Sequence, residues 1–195
     1  HHKKFADGGE VIVWETGRAG EEAASYENLF LRKEIAGFRT NIRREQSCSI
    51  KSLTRDYLYK QLLSSGEYTF DHMLVIKDPY GEAPLTALAL FILEEPACVR
   101  VTTKGNLKET DFVTELPKKK EHRVPILGMY AEKANDIVIE ILDDEGNCVK
   151  SHTFTIRTKR LPKSLRNVIT VKKWTDKPAY SNIMINGGVK IHTCV

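Results

Sequence analysis

The chain has 195 residues, 41% of them hydrophobic and 29% charged, which is enough apolar material for a buried core and too ordinary a balance for a disordered or fibrous chain. Thirty basic against 26 acidic residues leave a formal charge of +4, a mild excess that permits an anionic partner without calling for one. No apolar run approaches the roughly 20 residues of a membrane-spanning helix. Cys48, Cys98, Cys148 and Cys194 contain no C-x-x-C pair, which excludes a zinc ribbon or a thioredoxin-like redox motif. They read as buried free thiols, with pairing open to them in an oxidising compartment.

Near the N-terminus, Gly8-Gly9-Glu10-Val11-Ile12-Val13-Trp14-Glu15 predicts a short strand ending at Gly17 and Gly20. His1-His2 has the form of a tag remnant, and no signal-peptide apolar region follows it. From Glu21 to about Phe38 the pattern is helical, with Leu31, Ile35 and Phe38 at i, i+4 and i+7 and the charges ordered to suit the helix dipole. A second helix spans about Ser52 to Ser64, with Gly66 as its stop, and the polar run Arg43 to Ser47 is able to extend either helix. Residues 1–66 therefore read as a helical N-terminal extension, and the character of the chain changes to extended between Ser64 and Asp78.

Asp78-Pro79-Tyr80-Gly81-Glu82-Ala83-Pro84-Leu85-Thr86-Ala87-Leu88 cannot be helical, because proline lacks the amide proton and forces its predecessor into extended geometry. The apolar run Leu85 to Leu93 predicts a strand, Glu94-Glu95-Pro96 a turn, and Ala97 to Lys104 a second strand of a hairpin with alternating faces. Pro125, inside Val124 to Tyr130, points to an edge strand or a bulge. Asp136 to Leu142 and Cys148 to Arg157 are two more strands, joined by the turn Asp143-Asp144-Glu145-Gly146-Asn147. Asn167 to Trp174 is a last strand, and Ile183 to His192 has the form of a hairpin around Asn186-Gly187-Gly188. The spacing of turns predicts an immunoglobulin-like antiparallel β-sandwich of about seven strands over residues 67–178, with 179–195 as a tail.

Three of these segments, Asp78-Pro79-Tyr80-Gly81 with Ala83-Pro84-Leu85-Thr86-Ala87-Leu88, then Val124-Pro125-Ile126-Leu127-Gly128-Met129-Tyr130, then Thr158-Lys159-Arg160-Leu161-Pro162, occur in the order found in the N-terminal domain of bacterial aryl-sulfate sulfotransferases. The chain resembles that domain over about residues 68–175. The resemblance implies a non-catalytic β-sandwich, followed in the family by a β-propeller that carries the active site, so that 179–195 would be a tail or the start of a propeller. It also implies a place outside the cytoplasm, in the periplasm or cell envelope, and a part in domain packing or dimerisation. The family's reaction moves sulfate between phenols without a nucleotide donor. The motif residues Asp78, Pro79, Tyr80, Gly81, Pro84, Leu85, Pro125, Leu127, Gly128, Tyr130, Leu161 and Pro162 carry over as structural positions. No catalytic, cofactor-binding or metal-binding residue carries over, and no cofactor is expected.

Read from the residues alone, the chemistry is sparse. The family's sulfated histidine has no motif context here, and His1, His2, His72, His122, His152 and His192 show no metal-ligand spacing. His152 is expected on the solvated face of its strand, and His122 at a strand start. Asp143, Asp144 and Glu145 are oxygen-rich enough for calcium but lack EF-hand spacing, so a hairpin turn is the expectation. The basic stretch Arg157, Lys159, Arg160, Lys163, Arg166, Lys172 and Lys173 reads as a solvated connector, and Lys118-Lys119-Lys120 as a loop. Nucleic acid is disfavoured because no recognition helix or aromatic motif accompanies the charge. Tyr80, Tyr130, Phe91 and Phe112 read as core caps. The alternative reading is a stand-alone immunoglobulin-like protein-binding module.

Overall fold

Two strands of this protein, and the first part of a third, are apolar on almost every residue because both of their faces are buried. The computed structural model describes residues 1–5, 8–27 and 44–161, and residues His1–Leu161 form one unit. Its strands are β1 (His2–Lys4), β2 (Glu10–Trp14), β3 (His72–Lys77), β4 (Ala87–Thr103), β5 (Phe112–Ile126), β6 (Ala134–Leu142) and β7 (Cys148–Arg157), with helices α1 (Thr16–Ala24) and α2 (Arg44–Ser64) between β2 and β3. The strand order is β1-β2-β3-β4-β6-β7, with β5 also paired to β4. All pairings are antiparallel except β2 with β3, whose parallel register accommodates the helical crossover between them.

The protein is mainly β, and its sandwich arises by folding one sheet over itself. The first part of β4 pairs with β3 along Leu90 to Ala87, and the last part pairs with β6 along Cys98 to Thr103. β5 follows β4 through both parts, with register shifts between Ile92 and Ala97 and between Ala97 and Val99. Side chains from both halves meet in one core: Val11, Met73, Val75, Ala89 and Phe91 from one half, and Val99, Val101, Ile137, Ile139 and Ile156 from the other. The opposite face of the first half holds Ile12, Trp14, Leu74, Ile76, Leu88 and Leu90 against Ala19, Ala23, Leu58, Tyr59 and Leu63 of the helices. The helical N-terminal appendage therefore buries the outer face of one half-sheet, which explains the unbroken apolar runs of β2, β3 and β4. Among the described residues no helix covers the half built on β6 and β7, and its strands alternate.

Several expectations change at this level. Glu94-Glu95-Pro96 is not a reversing turn: β4 continues through it as one 17-residue strand. The register shift absorbs the amide that Pro96 lacks, so the chain bends instead of turning back. Lys118-Lys119-Lys120 lies inside β5 and not in a loop, exposed on its edge as lysines that guard a free edge commonly are. β3 occupies a stretch in which no strand was expected, and α1 begins at Thr16 and includes Gly17 and Gly20. α2 extends back to Arg44 through the polar run. Pro125 does sit on an edge strand, and Asp143 to Asn147 is the expected turn, with the Asp143 carboxylate accepting the Asn147 and Glu145 amides at 2.7 and 3.0 Å. The expected strand at Asn167 to Trp174, the hairpin at Ile183 to His192, Cys48's side chain, Cys194, and the basic residues beyond Leu161 lie outside the described residues.

His152 is buried and not solvated. Phe5 and Phe70 stack on its ring at 4.0 and 4.6 Å, and its Nε2 lies 2.8 Å from Asp71 Oδ1. Lys150 also binds that carboxylate at 2.6 Å; its hydrogen bond first, and that of His152 after it, hold Asp71 below the ordinary carboxylate range. His122 is buried too, stacked on Phe91 at 5.4 Å, with Nε2 2.8 Å from the Lys119 carbonyl. Burial lowers its pKa from the ordinary 6.5. The unfolded chain therefore binds a proton just below pH 6.5 that the folded protein refuses, so this contribution is complete above 6.5 and is lost as pH falls towards the folded value. The midpoint of urea unfolding should drop between pH 7.5 and pH 5, and the drop should be smaller in His122→Gln; an equal drop in both proteins would refute the assignment.

Candidate functional site

The bend in β4, followed by β5, brings the two ends of this strand pair together, so that Gly128 just after β5 lies against Phe112 at its start, and the described motif segments gather there. The turn after β3 is a local consequence of its residues. Asp78 adopts φ 45° and Gly81 φ 80°, conformations that aspartate tolerates and glycine takes freely, with Pro79 fixing the backbone between them. The Gly81 amide donates to the Asp78 carbonyl at 3.0 Å, and Asp78 Oδ1 accepts from the Ala83 amide at 2.8 Å. Pro79 is buried, Pro84 exposed, and Leu85 half-buried where the chain enters β4.

The helices grip this turn. Arg55 donates to the Pro79 carbonyl at 2.5 Å and to Thr16 Oγ1 at 3.2 Å, and the Tyr59 hydroxyl donates to the same carbonyl. Tyr80 donates to Asp56 Oδ1 at 2.6 Å, and Arg123 of β5 donates to both Asp56 at 2.6 Å and the Tyr80 hydroxyl at 3.2 Å. Burial, then the Asp56 hydrogen bond, pushes the Tyr80 phenol up to about 12, and burial raises Tyr59 as well. Both phenols are therefore protonated donors at neutral pH, suited to holding the corner and not to nucleophilic attack.

The second and third motifs are joined by a residue that sequence reading missed. Asn135 is buried, and its amide donates to the carbonyls of Tyr130 and Lys133, each at 3.1 Å, and of Ile156 at 3.3 Å, while its oxygen accepts from the Tyr130 amide at 2.7 Å. Thr158 closes the same cluster with the Tyr130 and Lys133 carbonyls. Gly128 has φ 78°, and a Cβ there would lie 2.7 Å from Phe112 Cβ. The signal for Asn135 was present, since it shares the inward period of Ile137 and Ile139. Arg55, Asp56 and Arg123 carry no local signal, because their meeting depends on the helices lying over the turn.

Glu15, just before α1, binds Lys77 at 2.7 Å and Lys159 at 3.6 Å. Burial raises its pKa, but the two lysines outweigh that and hold it low. Leu161, half-buried, is the last described residue, and Pro162 lies outside the described residues. Of the seven large apolar side chains that are exposed among the described residues, five lie at this end: Tyr80 (38%), Leu107 (66%), Phe112 (44%), Val113 (51%) and Leu127 (38%). Tyr80 and Phe112 are thus not core caps, Tyr130 is half-buried, and Phe91 is fully buried. Among the described residues, no group of three histidine, cysteine, aspartate or glutamate side chains is placed to hold a metal ion, and no helix is long and apolar enough to cross a membrane. The arrangement is a rigid, apolar-tipped surface.

Compared with known proteins, residues 74–159 match the arylsulfotransferase Ig-like domain. No curated protein and no solved structure matches the chain.

Proposed function

We propose, from the premise that residues 74–159 belong to the arylsulfotransferase Ig-like domain family, that this chain is the N-terminal, non-catalytic part of an aryl-sulfate sulfotransferase acting outside the cytoplasm. Its motif-bearing end packs against a β-propeller that moves a sulfuryl group from a phenolic sulfate ester to another phenol. The domain itself comprises residues 67–178; of the residues before it, β1 and β2 extend its sheet and add Phe5, Val11 and Val13 to its core, while α1 and α2 cover its outer face. Pairing of subunits belongs to the same reading.

The observation that supports it is the gathering of Tyr80, Leu107, Phe112, Val113 and Leu127 at one end. Apolar side chains scattered singly over a surface need no explanation, but a cluster at one end marks a surface that is covered in use. Tyr80 and Leu127 sit on turns whose conformation the motif residues fix, and Gly128 of the second motif packs on Phe112, which gives the motifs a physical purpose short of catalysis. Two measurements test the reading. The chain incubated with a chromogenic aryl sulfate and a phenol acceptor should give no turnover above blank, and clear turnover would refute it. The reading frame downstream should encode repeated four-stranded blades; an immediate stop would favour the stand-alone protein-binding module instead.

A further inference from the structure

At the end of the sandwich away from the motif loops, the fold of the sheet leaves a gap in its own edge. β3 pairs with β4 no further than Leu90, and the pairing of β4 with β6 begins at Cys98. Between them, among the described residues, only Ile92 is engaged on that side, through its amide to the Tyr68 carbonyl at 2.8 Å and a bridge to Thr69. The backbone from Leu93 to Ala97 therefore borders an open groove of about 890 Å³, flanked by the 66–71 segment and the 143–147 turn. This volume lies within the span of about 300–1,000 Å³ usual for binding clefts.

The groove has an apolar floor and an acidic rim. Phe70, Leu93, Pro96, Ile141 and Val149 contribute to its lining, and Val149 is 67% exposed, the most exposed large apolar side chain among the described residues. Six carboxylates line it against three lysines. Two of those lysines are already used, Lys118 by Asp144 and Lys150 by Asp71. Asp143 is occupied with its own turn. Glu94, Glu95 and Glu145 make no ion pair among the described residues, and only Lys120 stands against them.

We propose that this groove is a docking site for an extended polypeptide segment in which lysine or arginine alternates with an apolar side chain. The apolar side chains seat on Val149 and Phe70, the cations meet Glu94, Glu95 and Glu145, and the backbone lies along the uncovered edge of β4. Strand addition to an open edge is a recurrent mode of peptide recognition, with main-chain bonds supplying affinity and alternate side chains specificity. Pro96, which has no amide proton, limits the main-chain part, so side-chain contacts dominate. The site is at the end opposite the surface assigned above to the propeller and does not depend on that assignment.

The test uses the full chain and a fluorescein-labelled peptide of sequence Lys-Leu-Lys-Val-Lys-Thr, followed by anisotropy. Binding should weaken at least tenfold with the double substitution Glu94→Lys/Glu95→Lys and at least threefold with Val149→Ser. All three positions are solvent-facing, so the variants should keep the fold, checked by circular dichroism. A peptide with glutamate in place of lysine should bind at least tenfold more weakly, and so should one with serine in place of leucine and valine. Peptide-induced protection from amide exchange should map to 93–97 and 141–149. No binding, equal binding of either control peptide, variants without effect, or protection confined to other residues would overturn the proposal. So would concentration-dependent self-association that Glu94→Lys/Glu95→Lys abolishes, since the occupant would then be a second copy of this chain.

Discussion

Replacing Asn135 with alanine is expected to destabilise the protein by about 3 kcal/mol, lowering the thermal midpoint by roughly 6–12 °C for a chain of this size. The side chain is 1% exposed, and its removal strands the Tyr130 amide, which loses its acceptor at 2.7 Å, and takes a donor at 3.1 Å from each of the Tyr130 and Lys133 carbonyls, which are left with Thr158. Each buried polar group left without a partner costs about 1–3 kcal/mol. Water entering the hole satisfies some of them, which is why the expectation is well below the sum. Because Thr158 Oγ1 binds the same two carbonyls, the two side chains act as one unit. A double-mutant cycle of Asn135→Ala with Thr158→Val should therefore be non-additive by at least about 0.5 kcal/mol. Additive losses, or an Asn135→Ala cost under 1 kcal/mol, would show that Asn135 merely fills space between the second and third motif segments.

The sandwich and its strand-rich stretch were legible in the sequence for a specific reason. β6 and β7 have one buried face each, so Ile137 and Ile139, Phe154 and Ile156 mark a period of two, and the Asp143 turn between them has its chemistry in five consecutive residues. β3 defeated that test, and the first part of β4 was read only from its unbroken apolar run, because a helix lies over the face that would otherwise be polar. Leu74, Ile76, Leu88 and Leu90 contact the helices while Met73, Val75, Ala89 and Phe91 contact the other half-sheet. A strand buried on both sides carries no period, and β3 in particular went unread. The bend at Glu94-Glu95-Pro96 failed for a different reason: a proline flanked by acids has the composition of a turn whether the chain reverses or only kinks, and the choice rests on β5 running alongside for the whole length of β4. His152 was misplaced because its cover comes from Phe5 and Phe70, more than 80 positions away in the chain. The motif segments were visible one by one. That they meet at one end, held by Arg55, Asp56, Arg123 and Asn135, is a property of the fold.

Substituting alanine for Gly128 is expected to cost about 2–4 kcal/mol, from two sources that can be separated. The residue has φ 78°, a backbone conformation that costs an L-residue about 1–2 kcal/mol. The added Cβ would also come within 2.7 Å of Phe112 Cβ and 2.9 Å of its Cγ. Phe112 cannot relieve this by changing rotamer, because its Cβ is fixed to the backbone of β5, so the strand end itself must move. Gly146 supplies the control: it has φ 84°, and nothing lies within 4 Å of a Cβ built there. Gly146→Ala should therefore show the backbone cost alone, about 1–2 kcal/mol, and Gly128→Ala should exceed it by at least 1 kcal/mol in urea unfolding. Gly128→Asn sharpens the separation, since asparagine tolerates positive φ yet still carries a Cβ. If Gly128→Asn is as damaging as Gly128→Ala, the contact with Phe112 dominates. Should Gly128→Ala prove no worse than Gly146→Ala, the close approach at the motif-bearing end carries no energetic weight, and the rigidity assigned to that surface loses one of its physical supports.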